Sequence, residues 1–286
     1  MGIERVGVVG CGLMGSGIAE VCARAGLDVI VREVDDDALD RGRSRIDSSL
    51  ARALRSGKLS QEERDRAFEA IRFTTDIGDL GDRELVVEAV FEAEEAKVAV
   101  FSALDKVVAE SGAILASNTS SIPIMKLAMA TSRPQQVVGI HFFNPVPVLK
   151  LVELVTSLLT SPETSDRAER FVEDVLDKRA IRSQDRAGFI VNALLIPYLL
   201  SSIRMLESGF ASANDIDQGM VLGCAHPMGP LALADLIGLD TTMAVAESLY
   251  EEFKEPLYAP PPLLSRMVEA GLLGRKTGRG FYEYGR

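Results

Sequence analysis

RVGVVGCGLMGSG, residues 5–17, sets the reading of the whole chain. An apolar run ends at Val9, glycines follow at positions 10, 12 and 15, and a helical period begins at Met14. Directly after a strand and at the opening of a helix, that spacing is the signature of a dinucleotide-binding turn. Gly10 permits the tight turn, Gly12 lets backbone approach a pyrophosphate, and Gly15 allows close helix packing. The helix N-terminus offers unpaired N–H groups and a positive dipole end to the phosphates. Leu13 and Met14, inside the turn, are grouped with the glycines as cofactor-contacting positions.

The next apolar run, DVIVRE, ends at Glu33, 18 residues beyond Gly15. A carboxylate there bonds both ribose hydroxyls and repels a 2′-phosphate, so NAD is expected over NADP. Arg32 beside it is the residue that would accept a 2′-phosphate were Glu33 turned away.

Outward from this unit, strand signals at 5–9, 28–32, about 85–89 and 114–117 alternate with helical periods at 14–25 and from about 36. That alternation predicts an α/β fold, a Rossmann-type and mostly parallel sheet covered by helices. From Gly188 the pattern changes: GFIVNALLIPYLLSSIRMLESGF is apolar almost all round, and the remainder reads as helices separated by Gly and Pro. A helix of that kind is buried within its domain or in a subunit interface, and Pro197 in its middle is expected to kink it. The expected division is a nucleotide-binding domain over 1–187 and an all-α domain over 188–286 for substrate binding and dimerisation, giving a homodimer.

Composition narrows the partners. With 31 Lys+Arg against 42 Asp+Glu in 286 residues the net charge is −11, which argues against nucleic acid. Cys11, Cys22 and Cys224 are scattered and form no CxxC pair, so neither a disulfide framework nor a metal site is expected and a reducing cytoplasm is the default. Residues 1–10 lack a signal-peptide pattern and no apolar run is long enough for a bilayer, so no membrane association is expected. QEERDR at 61–66 reads as a solvated helix face.

Moving hydride from an alcohol also moves a proton, so the nicotinamide needs a proton-handling neighbour. Only two histidines exist, and His141 lies in VVGIHFFNPVPVLKLVELV, two strand-like runs around a Pro-rich turn. A hairpin centred on Pro147 sets His141 opposite Glu153, a base and its orienter. A carboxylate on one ring nitrogen selects the tautomer and leaves the other for the alcohol proton. Ser117, Asn118, Thr119, Ser120 and Ser121 follow a strand at the carboxyl edge of the sheet, where open α/β folds bind ligands. Ser121, ahead of Pro123, is suited to cap the next helix. Asn192 is an amide in an otherwise apolar helix, where a polar group left unpaired is costly, so a ligand or an inter-domain hydrogen bond is expected to satisfy it.

Together these residues resemble the short-chain L-3-hydroxyacyl-CoA dehydrogenases, and the likeness runs along the whole chain. Its carriers are GCGLMGSGIAE (10–20), ASNTSSI (116–122), HFFNPVPVLKLVEL (141–154), AGFIVNALLIP (187–197), HPMGPLALADLIGLD (226–240) and GRKTGRGFYEY (274–284). The resemblance implies His141 as general acid/base with Glu153 as partner, and Ser120 and Asn192 as hydrogen-bonding groups at the substrate oxygens. It implies NAD contacts at Glu33, Glu92, Lys97 and Asn118, and an acyl-CoA substrate, C4 by preference. Two departures stand out: Glu33 occupies a place where Asp is commoner, and EAVFEAEEAK keeps Glu92 and Lys97 but lacks an Asn that usually follows.

A CoA tail needs cations. Arg41, Arg45, Arg52 and Arg55 fall within a sector of roughly 80° on the helix after the second strand, opposite Leu39, Ile46, Leu50 and Leu54. The reading is a phosphate stripe, with Arg52 and Arg55 as substrate contacts, or a solvated helix face. His226, ahead of Pro230, reads as a turn residue, and the tail with Lys276 as packing back on the body. Two competing functions are a dehydrogenase of CoA-free hydroxy acids and a non-catalytic dinucleotide binder. The first relies on a lysine base in the helical domain, and 187–250 contains none; against the second stands the full set Ser120, His141, Glu153 and Asn192.

Overall fold

The computed structural model describes residues 2–285, and the chain divides into two compact units, Met1–Arg186 and Ala187–Arg286. The first unit is built on one eight-stranded sheet. Its strands are β1 (Arg5–Val9), β2 (Asp28–Arg32), β3 (Ile71–Thr74), β4 (Leu85–Glu88), β5 (Ile114–Ser117), β6 (Val137–Phe142), β7 (Leu151–Thr156) and β8 (Arg179–Gln184). They lie in the order β3-β2-β1-β4-β5-β6-β7-β8, parallel except where β7 turns back against β6. β4 and β5 are buried at every position and β1 at all but its first, as expected of parallel strands covered on both faces.

The helices of this unit are α1 (Leu13–Arg24), α2 (Asp36–Arg55), α3 (Gln61–Glu69), α4 (Glu94–Val107), α5 (Ile124–Ala128) and α6 (Pro162–Arg170). Asp35 caps α2 by accepting from Ala38 N at 2.7 Å, with Asp36 and Asp37 in the first turn. Ser60 and Glu63 form a capping box on α3. The acidic and basic run in α3 is more than a solvated face, because Arg64 pairs with Asp47 of α2 and stands over the Phe68 ring. Strand order reverses between β1 and β4, so the chain leaves β1 toward β2 on one side and a crevice opens at the carboxyl ends.

One expected cap is overturned. α5 is not capped by Ser121; the Asp185 carboxylate accepts from Ile124 N at 2.8 Å and Met125 N at 2.7 Å. An aspartate beyond β8 reaches both orphan N–H groups with two oxygens, and Ser121 turns its hydroxyl to Glu92 instead.

The second unit comprises α7 (Val191–Glu207), α8 (Ala213–Cys224), α9 (Pro230–Ile237), α10 (Leu239–Phe253) and α11 (Pro262–Glu269). Leu199, Leu200 and Ile203 of α7 join Leu231, Leu239, Leu249 and Leu264 in its core. α7 continues through Pro197, whose carbonyl accepts from Ser201 Oγ. The C-terminal tail is tied down by Asp235, which accepts from Phe281 N, Tyr282 N and Tyr284 Oη. No helix among the described residues is long and apolar enough to cross a membrane.

Candidate active site

The glycine turn sits at the carboxyl end of β1. Gly10 has φ +92°, and a Cβ there would lie 2.8 Å from the Ala89 carbonyl after β4. A Cβ on Gly15 would fall 1.8 Å from Gly10 O, so α1 can start this close to the turn only without one. Above Gly12 nothing approaches within 4 Å. Gly12 supplies no side-chain cap and the first turn of α1 has no acidic residue, so no side chain caps this helix end. The first turn carries Leu13, 65% exposed, and Met14, half-buried. This cradle fits a pyrophosphate. Glu33 curls back over it: Oε1 accepts from Cys11 N at 2.5 Å and Oε2 from Val34 N at 3.1 Å. Arg32 turns aside to the Thr75 carbonyl.

Along the same sheet, β6 and β7 pair with His141 directly across from Glu153. His141 Nδ1 lies 2.8 Å from Glu153 Oε2, with the residues 4% and 0% exposed. Its Nε2 lies 3.2 Å from Ser120 Oγ, and the Phe143 ring packs 4.7 Å away. A hydroxyl, an imidazole and a carboxylate thus stand in series, the arrangement that passes one proton at Nε2 while the carboxylate holds the ring.

The hydroxyl cluster after β5 hangs on two glutamates. Glu92 Oε1 accepts from Thr119 Oγ1 (2.5 Å), Ser120 N (2.8 Å), Ser121 N (3.1 Å) and Ser121 Oγ (3.1 Å). Glu88, at the end of β4, accepts from Ser117 Oγ at 2.6 Å and Val90 N at 2.7 Å. Lys97, 1% exposed, links the two at 2.7 Å from Glu88 and 3.3 Å from Glu92. Burial works to raise the Glu92 pKa, but the Lys97 charge and the bonds from Thr119 and Ser120 outweigh it, and the carboxyl titrates below its ordinary value. Lys97 therefore stands behind Glu92, while Glu92 keeps its side chain 37% exposed. Asn118 Oδ1 accepts from Phe142 N at 2.9 Å, which turns the amide nitrogen away from β6. Glu88 was not anticipated as part of the site; the signal available was a glutamate ending an otherwise apolar strand.

Residues 5–186 match the family model of the 3-hydroxyacyl-CoA dehydrogenase NAD binding domain, and residues 188–284 that of its C-terminal domain. The chain belongs to the 3-hydroxyacyl-CoA dehydrogenase family. Its cofactor is NAD. The dehydrogenase is 60% identical over 282 residues to a 3-hydroxybutyryl-CoA dehydrogenase of Mycobacterium tuberculosis, covering 99% of both chains. Among solved structures it is similar to M. tuberculosis FadB2, with TM-score 0.99 and 59% identity over 100% of both chains. It is also similar to (S)-3-hydroxybutyryl-CoA dehydrogenase PaaH1 of Ralstonia eutropha, with TM-score 0.94 and 46% identity over 99% of this chain and 100% of that one.

In the dehydrogenase Arg41, Arg45, Arg52 and Arg55 are all exposed on α2, while Ile46 and Leu50 are buried. Arg45 donates to the Cys11 carbonyl at 3.3 Å. Arg45 and Arg52 line a cavity of about 310 Å³ between α1, α2 and the loop after β6. That loop is staked by Lys178, only 9% exposed, whose Nζ donates at 2.7 Å to both Val146 O and Leu149 O. In the helical unit Asn192 sits half-buried in the first turn of α7. His226 lies in the turn before α9, bonded to Tyr198 Oη at 3.1 Å, and Lys276 is paired with Asp240 at 2.5 Å.

Proposed function

We propose that this dehydrogenase interconverts (S)-3-hydroxybutyryl-CoA and acetoacetyl-CoA, with His141 as general acid/base. The observation that carries the reading is the series Ser120 Oγ, His141 Nε2 and Nδ1, Glu153 Oε2, at 3.2 Å and 2.8 Å, on the sheet that bears the nucleotide turn. NAD held at the glycine turn would supply the hydride acceptor for the substrate C3, and its reduced form the hydride donor. In oxidation His141 Nε2 takes the proton of the 3-hydroxyl; in reduction it gives that proton back. Glu153 keeps the Nδ1 proton in place and stabilises the imidazolium that forms, a role worth ~10²- to 10⁴-fold with the histidine. Ser120, its backbone held by Glu92, donates to the substrate 3-oxygen, and Asn192 supplies an amide to a substrate oxygen.

Glu33, Glu92, Asn118, Gly10, Gly12, Leu13, Met14 and Gly15 contact NAD in this reading, with Lys97 acting through Glu92. Glu33 favours NAD over NADP by placing a carboxylate where a 2′-phosphate would sit. Arg52, which lines the α2 cavity, and Arg55, exposed near the end of the same helix, receive CoA phosphates. The C4 substrate is supported by the similarity to 3-hydroxybutyryl-CoA dehydrogenases. A cytoplasmic homodimer assembled through the helical unit completes the reading, supported by its exposed Leu194 (74%), Phe210 (79%) and Leu222 (79%).

Steady-state NADH oxidation with acetoacetyl-CoA against free acetoacetate tests it. Turnover with the thioester exceeding that with the free acid by orders of magnitude is the expected result. Faster turnover of the free acid would contradict the CoA assignment.

A further inference from the structure

We propose that Glu20 is a substrate-contacting residue that accepts a hydrogen bond from an N–H donor of the CoA moiety. Glu20 lies on α1, is 1% exposed, and its Oε2 has no hydrogen-bond partner among the described residues. Its other oxygen meets only Arg24, at 3.4 Å. Among the described residues two other buried side-chain atoms lack a partner, Arg5 Nε and Ser165 Oγ. Neither residue lines the α2 cavity, and Glu20 does.

A buried carboxylate oxygen without a donor is costly, and the cost disappears when a ligand supplies one. The cavity around it is built for a mixed ligand. Arg45 and Arg52 stand at its exposed edge, whereas Ser16, Ser49, Asn144 and Glu20 contribute neutral or acidic groups to its walls. Phosphates are attracted to the arginine edge and repelled from Glu20. The segment of the ligand against Glu20 must therefore be uncharged and carry donors. A CoA ester has both parts: phosphates, and N–H donors in the two amides of the pantetheine arm and in the adenine amine. The third wall is held close to α1, since a Cβ on Gly17 would lie 2.8 Å from Val146 Cβ, and Lys178 anchors the same loop through the Val146 carbonyl. Glu20 thus belongs to the wall of a slot that α1, α2 and this loop already form. The inference rests on the acyl-CoA reading above and adds the residue that selects for the CoA moiety.

The test compares Glu20→Met, which keeps chain length and removes the acceptor, with Glu20→Gln, which keeps an acceptor oxygen. In Glu20→Met the KM for acetoacetyl-CoA should rise roughly 10- to 100-fold, far more than the KM for ethyl acetoacetate or for NADH. Glu20→Gln should recover most of that loss. Inhibition by pantetheine and by adenosine 3′,5′-bisphosphate identifies the donor, because only the fragment that bonds Glu20 loses affinity in Glu20→Met. Equal changes for CoA and CoA-free substrates, or no change for either fragment, would overturn the assignment. The acyl-CoA reading is judged separately, on the wild-type enzyme's turnover of acetoacetyl-CoA. Should that turnover be absent, calorimetric titration of CoA into wild type and Glu20→Met still reads the Glu20 contact, with equal affinities counting against it. If Glu20→Met does not fold, Glu20→Leu, which also removes the acceptor, replaces it in the same titration with the same expectation.

Discussion

His141 and Glu153 stand directly opposite each other on β6 and β7, and their side chains meet at 2.8 Å with both residues out of contact with bulk water. Because the partner is set by strand register, the imidazole cannot swing without breaking a bond inside the sheet's own face. Glu153→Gln keeps the volume but removes the charge that stabilises imidazolium. The expected outcome is a kcat lowered by roughly 10²-fold with the KM for acetoacetyl-CoA changed little, measured by NADH absorbance.

Glu33 holds the glycine turn through Cys11 N and places its charge beside the nucleotide cradle. Glu33→Ser keeps a short polar group and removes the repulsion of a 2′-phosphate. The ratio of kcat/KM for NADPH over NADH should rise roughly tenfold, about 1.4 kcal/mol. An unchanged ratio would place cofactor choice elsewhere.

The pair was legible from sequence because two apolar runs around a Pro-rich turn leave one register that buries both faces. The glycine turn was legible because its three glycines answer three separate steric demands. What escaped was non-local or disguised. Asp185 caps α5 from about 60 residues away, a reach that no spacing rule contains. Glu88 sits inside an apolar pattern, and only folding brings Ser117 and Lys97 to it. Glu20 reads as a polar helix position, yet α1 is enclosed so fully that nine of its residues are buried. β8 was missed because it lies at the sheet edge and buries only Ala180 and, in part, its neighbours.

The depressed pKa of Glu92 gives a signed dependence on pH. Its carboxyl titrates below the ordinary 4.5, so the charged form stabilises the fold fully above that value. The contribution is lost as pH falls from about 4.5 through the folded pKa. Glu92→Gln should be less stable than wild type at pH 7, and the difference should shrink in acid. Urea midpoints at pH 7 and pH 3.5 check this.

Burial pushes the Cys11 thiol up to about 12, with Glu33 adding to the rise and Arg45 opposing it. Cys22 is pushed up to about 12 by burial as well. Both stay protonated at pH 8, while Cys224 is exposed. Ellman's reagent should therefore titrate one thiol quickly in the folded enzyme and all three in guanidinium.

The most direct measurement is steady-state oxidation of NADH and of NADPH with acetoacetyl-CoA, on wild type and His141→Ala side by side. Fast turnover by the wild type with NADH, slower with NADPH and reduced ~10²- to 10⁴-fold in the variant, is the expected result. A His141→Ala enzyme that keeps turnover within a few-fold of wild type would contradict His141 as the acid/base.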